Sequence, residues 1–152
     1  MIKIVCVGKI KDKNLKCLVD DYQKKISFYH KIEIVEVKDE PIKDKGGDIL
    51  EIEGERLLSK IGNDEYVILV DLHGKSIDSI GFSQKIDKCF IHNAKITFVI
   101  GGSLGLGNNI RKRANEFLKL SDLTFLHQMT RLILLEQIYR AYKILNGETY
   151  HK

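Results

Sequence analysis

The chain has 152 residues, with 25 Lys and Arg against 21 Asp and Glu, one Pro and no Trp. That composition fits a single globular domain over residues 1–152 and leaves no room for a second. A fold of this length hides about 68–70% of the surface of its unfolded chain, so it needs no disulfide or structural metal to hold together. Cys6, Cys17 and Cys89 are odd in number and never form Cys-x-x-Cys, which argues against a secreted disulfide framework and a zinc knuckle and fits the reducing cytoplasm. The apolar opening Met1-Ile2-Lys3-Ile4-Val5-Cys6-Val7-Gly8 is too short for a signal sequence, and no run approaches the roughly 18 apolar residues of a membrane span. A cytoplasmic protein with no membrane partner is the expectation.

In chain order, Ile2 to Val7 reads as a strand rich in Ile and Val. Asp12 then serves as an N-cap for a helix on which Leu15, Leu18, Val19, Tyr22 and Ile26 recur at helical spacing. Ile32 to Val37 is the second strand, and Asp39 to Gly47, with the only Pro and a Gly-Gly pair, is a surface loop. Asp48 precedes a helical pattern of Ile49, Ile52, Leu57 and Leu58; Tyr66 to Leu72 is a strand; Asp78 precedes a helical pattern of Ile80, Phe82, Ile86 and Phe90. Ile96 to Ile100 is the fourth strand, a short helix starts near Asn108, and Phe117 to Leu120 is a weaker fifth strand. Strands three and four are nearly continuous apolar runs, as expected where helices cover both faces of a parallel sheet. The order predicts a five-stranded α/β sandwich. The last helix, Gln128 to Asn146, stops at Gly147, and its apolar stripe is wider than one sheet contact requires, which predicts a self-complementary dimer interface.

The charge is uneven. Residues 1–107 carry 17 basic and 17 acidic residues, while residues 108–152 carry 8 and 4, so the whole excess lies in the last part. Such a distribution suits either an irregular solvated surface or a partner bearing phosphates.

Three strand ends carry loops with chemistry. Ile100-Gly101-Gly102-Ser103-Leu104-Gly105-Leu106-Gly107 follows a buried strand, where ligands of open α/β sheets bind and glycine lets backbone amides come close. No Gly-x-Gly-x-x-Gly register fits and no Gly-Lys-Ser/Thr follows, so NAD and ATP lose weight; a plain glycine turn before a helix is the other reading. Ser121-Asp122-Leu123-Thr124-Phe125-Leu126-His127 is a second such loop, open to an ordinary capping role, and Val70-Asp71-Leu72-His73-Gly74-Lys75 completes a crevice. Asp71 does not make a phospho-receiver, because the first strand ends Val7-Gly8-Lys9 with no acidic pair for magnesium. His30, His73, His92, His127 and His151 lack metal-ligand spacing, so no metal is expected. His127, at a helix start, suits capping or packing. The terminal Tyr150-His151-Lys152 reads as a frayed end or as a group that stacks on and deprotonates a nucleobase.

Four ordered stretches carry a resemblance: Ile100-Gly101-Gly102-Ser103, Leu123-Thr124-Phe125-Leu126-His127-Gln128, Glu136-Gln137-Ile138-Tyr139-Arg140-Ala141 and Tyr150-His151-Lys152. With the opening Val7-Gly8-Lys9, they make the whole chain resemble the RlmH family of SPOUT-class methyltransferases, which transfer methyl from S-adenosylmethionine to N3 of a pseudouridine in large-subunit ribosomal RNA. The resemblance implies an α/β knot fold with a trefoil knot near the C-terminus, a homodimer with sites at its interface, and a ribosomal particle as substrate. It implies a cofactor crevice of Val70, Gly101, Leu120, Ser121, Asp122, Leu123, Thr124 and Phe125, with Gly102 and Gly105 shaping the loop. Many members have Pro where this chain has Leu126, so the turn into the last helix loses a fixed φ.

An imide nitrogen is a poor nucleophile while protonated, so the chemistry needs a base or a nearby cation. His151 is the candidate base, Arg140 the group that stabilises negative charge on the base oxygens, and Tyr150 the group that stacks or hydrogen-bonds. RNA contact is expected from Arg111, Lys112, Arg113 and Lys152, with Lys119, Lys143 and the Lys-rich N-terminal segment in support. A non-catalytic RNA-binding or ribosome-associated factor of the same fold, and a transfer RNA methyltransferase, are the competing readings.

Overall fold

The computed structural model describes residues 1–42 and 47–152. Residues 43–46 of the Asp39 to Gly47 loop, including Gly46 of its Gly-Gly pair, lie outside the described residues. The elements run β1 (Ile2–Val7), α1 (Lys13–Ser27), β2 (Ile32–Val37), α2 (Gly47–Leu58), β3 (Tyr66–Ser76), α3 (Ser79–His92), β4 (Ile96–Ile100), α4 (Asn108–Arg113), β5 (Glu116–Lys119) and α5 (His127–Leu145). The strands form one sheet in the order β2-β1-β4-β3-β5, every pairing parallel.

Alternation along the strands sorts the core into two layers. Ile2, Ile4 and Cys6 of β1, with Ile68, Phe98 and Leu118, pack under α1, α3 and α5. Val5 and Val7, with Val67, Leu69 and Val99, pack against Leu57 of α2 and Ile110 of α4. α5 touches both α1 and α3 as well as the sheet. Its residues Leu134, Leu135, Ile138 and Ala141 are wholly buried, and each large side chain among them contributes about 1.5–3 kcal/mol. The width of the apolar stripe is thus accounted for within one chain, by a helix seated between two others, and does not itself call for a second copy.

Local signals explain the helix ends. Asp12 accepts from Leu15 N at 2.9 Å and Asp78 from Gly81 N at 2.7 Å, capping α1 and α3. α2 begins at Gly47, so Asp48 sits in its first turn, where its charge faces the positive helix end. α5 ends in a Schellman motif, with Gly147 at φ +66° and bonds from Gly147 N to Ile144 O and Glu148 N to Lys143 O. β3 runs four residues past its expected end at Leu72, because its pairing to β5 shifts register between Val70 and Lys75 and then resumes. Gly74 permits this: a Cβ there would stand 2.7 Å from the Leu118 carbonyl carbon.

Candidate active site

The carboxyl ends of β3, β4 and β5 enclose a cavity of about 570 Å³, within the about 300–1,000 Å³ range of small-ligand sites. Val70 and Leu72 form one wall, the loop Ile100 to Leu106 a second, and the segment entering α5 the third. The glycine loop is folded on itself: Gly102 and Gly105 pair across it, and Gly105 N donates to Gly102 O at 3.1 Å. Gly105 has φ +93°, which favours glycine, and a Cβ on Gly101 would meet Gly105 O at 2.4 Å. The loop therefore presents backbone to the cavity.

Of the sequence-read cofactor residues, Val70, Gly101, Gly102, Gly105, Leu120, Ser121, Leu123, Thr124 and Phe125 line this cavity together. Asp122 does not; its side chain is 89% exposed and pairs with Lys119 at 2.6 Å. Sequence reasoning passed over Thr130 and gave His127 only a capping or packing role, yet both line the cavity. His127 makes no capping bond: Leu126 occupies the N-cap position without one, and His127 Nδ1 is buried with no partner among the described residues. Burial, then the nearby Arg131 charge, lowers its pKa, so the ring is neutral near pH 7. An orphaned ring nitrogen in a cavity wall is a group that a polar ligand satisfies.

One turn along α5, Arg131 is 1% exposed. Its guanidinium donates to Val7 O and Gly8 O at 2.8 and 2.6 Å and to Glu36 at 2.8 Å. This ties the start of α5 to the carboxyl end of β1. The segment from Leu120 to Leu126 therefore crosses from the sheet edge, at β5, to β1 on the far side of β3 and β4.

The three candidate catalytic residues gather at the other end of α5, and none lines the cavity. Arg140 donates to Glu136 Oε1 at 2.5 Å, Tyr150 donates to the same oxygen at 3.1 Å, and Arg140 Nη1 lies 3.2 Å from His151 Nδ1. The Arg140 guanidinium also sits 4.9 Å from the centre of the Tyr150 ring. Burial, with the Tyr22 and Glu136 contacts, raises the Tyr150 pKa, so the phenol keeps its proton. Sequence reasoning quoted Glu136 but gave it no role; it is the shared acceptor of this group.

The expected RNA-contact residues divide. Arg111 is committed to Asp71 through two bonds of 2.7 and 3.2 Å, and Arg113 donates to the carbonyls of Gly62 and Glu65 at 2.8 and 2.9 Å. Both are engaged within the fold in the absence of RNA. Lys112 and Lys152 are exposed and in no ion pair among the described residues. No cluster of three metal-ligating side chains occurs among the described residues, and no helix there is long and apolar enough to cross a membrane.

A parallel sheet whose third, fourth and fifth strands deliver glycine-rich and apolar loops to one cavity, with a helix returned across their ends, defines a ligand-binding α/β protein. The model of the family "Predicted SPOUT methyltransferase" matches residues 1–151. The chain is 46% identical to Ribosomal RNA large subunit methyltransferase H of Clostridium botulinum (strain Alaska E43 / Type E3), over 99% of each chain. It is 48% identical to the protein of that name from Streptococcus agalactiae serotype III (strain NEM316), again over 99% of each. A solved structure described as a probable methylase family protein from Haemophilus influenzae Rd KW20 shares the fold, with TM-score 0.58 at 15% identity, covering 99% of this chain and 70% of that one. The chain belongs to the SPOUT methyltransferase family. It is a methyltransferase whose methyl donor is S-adenosylmethionine, and the cavity fits that donor in size, in its backbone-lined glycine wall and in the unpartnered His127 nitrogen.

Proposed function

We propose that this enzyme transfers methyl to N3 of a pseudouridine in 23S ribosomal RNA, on assembled ribosomes or large subunits. The observation that carries the reading is the end-to-end similarity, 46–48% identity over 99% of each chain, to relatives named for the large ribosomal RNA. Tyr150, His151 and Lys152, an aromatic ring, an imidazole and a cation side by side, support a substrate base that is unstacked and handled at its edge.

When bound, S-adenosylmethionine supplies a methyl on a sulfonium, already electrophilic. The chain's own work is then placement and proton handling, and positioning of this kind reaches effective molarities of about 10⁵ M or more. His151 takes the N3 proton, Arg140 holds the negative charge that develops on the flanking base oxygens, and Tyr150, kept protonated, stacks on or donates to the ring. Val70, Gly101 and the Leu120 to Phe125 segment seat the donor, with Asp122 outside the wall. Lys112 and Lys152 are the exposed cations left for phosphates.

Within one chain the catalytic group and the cavity lie toward opposite ends of α5, whose 19 residues span roughly 1.5 Å each. A homodimer in which the tail of one copy reaches the cavity of the other brings the two halves together. Leu123 and Leu126, 72% and 63% exposed at the cavity mouth, are an apolar rim that such a partner would cover. The crossing of Leu120 to Leu126 over the ends of β3 and β4 supports a trefoil knot in this region. Three free cysteines, with Cys6 buried and its pKa pushed up to about 12 by burial, suit a reducing cytoplasm.

The test is transfer of tritiated methyl from S-adenosylmethionine to intact ribosomes, isolated subunits and bulk transfer RNA from cells lacking this protein. Label confined to ribosomal particles and mapped to one pseudouridine is the expected result. Label in transfer RNA, or none from folded protein, overturns it.

A further inference from the structure

Beside the cofactor cavity, and sharing only Leu120 with it, lies a second cavity of about 340 Å³ between α3, β5 and α5. Its floor is apolar, with Phe82 and Leu118 buried and Ile80 at the rim 48% exposed. Its polar side is built. Ser79 Oγ donates to Gln137 Oε1 at 2.7 Å, and Gln137 Nε2 donates to Glu136 Oε2 at 2.8 Å. A carboxylate only accepts, so the amide nitrogen must face Glu136, and the orientation of the carboxamide is fixed. One N–H and one lone pair of Gln137 stay without a partner among the described residues. His151 stands in the wall, and Lys119 lies at the edge, held among the described residues only by the exposed Asp122. Asp78 also lines the cavity, but its carboxylate is occupied as the α3 cap.

An apolar slot of nucleobase scale, a fixed donor–acceptor pair in its wall, a ring at one side and a displaceable ammonium at its edge together match one ligand chemistry. We propose that this cavity holds an unstacked nucleobase of the RNA substrate, adjacent to the one that is methylated, and that Gln137 reads its edge. The inference rests on the ribosomal RNA reading above. Adenine is the preferred occupant, since a carboxamide pairs in two-point fashion with its amino group and neighbouring ring nitrogen. Lys119 would exchange Asp122 for the phosphate of that nucleotide. The network then has a use. Gln137 and the catalytic Arg140 hang from the two oxygens of one carboxylate, Glu136, so the cavity and the catalytic tail keep a fixed spacing. Seating the neighbour sets where the target base lies with respect to His151.

The experiment is steady-state methyl transfer to intact ribosomes by wild type, Gln137→Met and Ile80→Trp, with the KM for ribosomes and for S-adenosylmethionine measured separately. Losing a two-point base contact raises the ribosome KM about tenfold or more, with kcat and the donor KM within about threefold. Ile80→Trp fills the slot from its exposed rim and gives the same split without touching the hydrogen-bond network, so it decides the matter if Gln137→Met fails to fold. A ribosome KM within twofold of wild type in both variants overturns the proposal. So does a fall in kcat alone, which would make Gln137 a support of the tail, or loss of the dimer mass in light scattering, which would make the occupant a second copy. Wild type that methylates no ribosome overturns the ribosomal RNA reading and this inference together; unaltered kinetics in variants of an active enzyme overturn this one alone.

Discussion

The two ends of the parallel sheet are built on opposite principles. At the amino ends, charges are buried and matched: Lys3 Nζ lies 2.6 Å from Glu65 Oε1 and donates to Lys60 O, while Thr97 Oγ1 donates to Glu65 Oε2, and the Lys3 and Glu65 side chains are only 6% and 3% exposed. At the carboxyl ends the backbone is bare at glycine, His127 Nδ1 lacks a partner among the described residues and two leucines stand in solvent. One end is satisfied without a ligand and the other is not. The contrast shows how a small domain keeps an open site: register is pinned at the closed end, so the strand ends at the other can stay apart without collapsing on each other.

Removing a pin is expected to have the largest effect on stability. Lys3→Met leaves the buried Glu65 carboxylate with Lys95, 3.3 Å away, as its remaining ion partner, so the cost is about 3 kcal/mol, the low end for breaking a buried pair, and should appear in urea denaturation, with donor affinity of the protein that still folds unchanged. The same group sets an acid limit. Burial pushes the Glu65 carboxyl up, but the Lys3 ion pair and the Thr97 hydroxyl outweigh it and hold the pKa at about 2. A pKa depressed below its ordinary 4.5 contributes stability that is complete above 4.5 and is lost as pH falls through about 2. Acid titration of wild type should show that loss, and Lys3→Met should show it at higher pH. An unchanged acid limit in Lys3→Met would dissolve the contrast between the ends.

Effects at the open end should fall on function. His151→Ala is expected to lower kcat about 10²-fold or more with folding intact; turnover within a few-fold of wild type would move the base elsewhere. Gly101→Ala places a methyl group 2.4 Å from Gly105 O, so the loop must open. Donor affinity by calorimetry should drop about tenfold, the consequence of roughly 1.4 kcal/mol, while urea stability falls less than in Lys3→Met.

The fold and the cavity were legible in the sequence for different reasons. Ile2 to Val7, Ile96 to Ile100 and the capped helices after Asp12 and Asp78 announce themselves through local periodicity and cap chemistry, which the structure keeps. The end of β3 was not legible, because its last residues pair through a register shift that depends on Gly74 lying against β5, a contact between distant segments. Most of the cavity could be read because its walls are contiguous loops after apolar strands. The fates of the arginines could not. Arg111, Arg113 and Arg131 look alike in sequence, and only tertiary packing assigns them to Asp71, to loop carbonyls and to the end of β1. Glu136 was hidden likewise, since its role comes from Tyr150 folding back 14 residues along the chain.

The smallest expected effect lies where the two principles meet. Asp71 lines the cavity, yet it is paired with Arg111 like a residue of the closed end. Burial raises its pKa, but the Arg111 hydrogen bonds and charge outweigh this and hold it below the usual range, so the pair is intact at neutral pH and neutral as a unit. Asp71→Asn keeps the shape and leaves a positive charge beside the wall. The partly buried pair contributes about 1 kcal/mol, so Tm should fall by roughly 2–4 °C. The uncompensated charge should also discriminate between ligands of the cavity. S-adenosylmethionine carries a cationic sulfur and its demethylated product does not, so the variant should lose affinity for the donor a few-fold more than for the product. That difference should shrink at 1 M salt, where the screening length is about 3 Å. Equal losses for both ligands at low salt would mean that Asp71 shapes the wall and does not balance its charge.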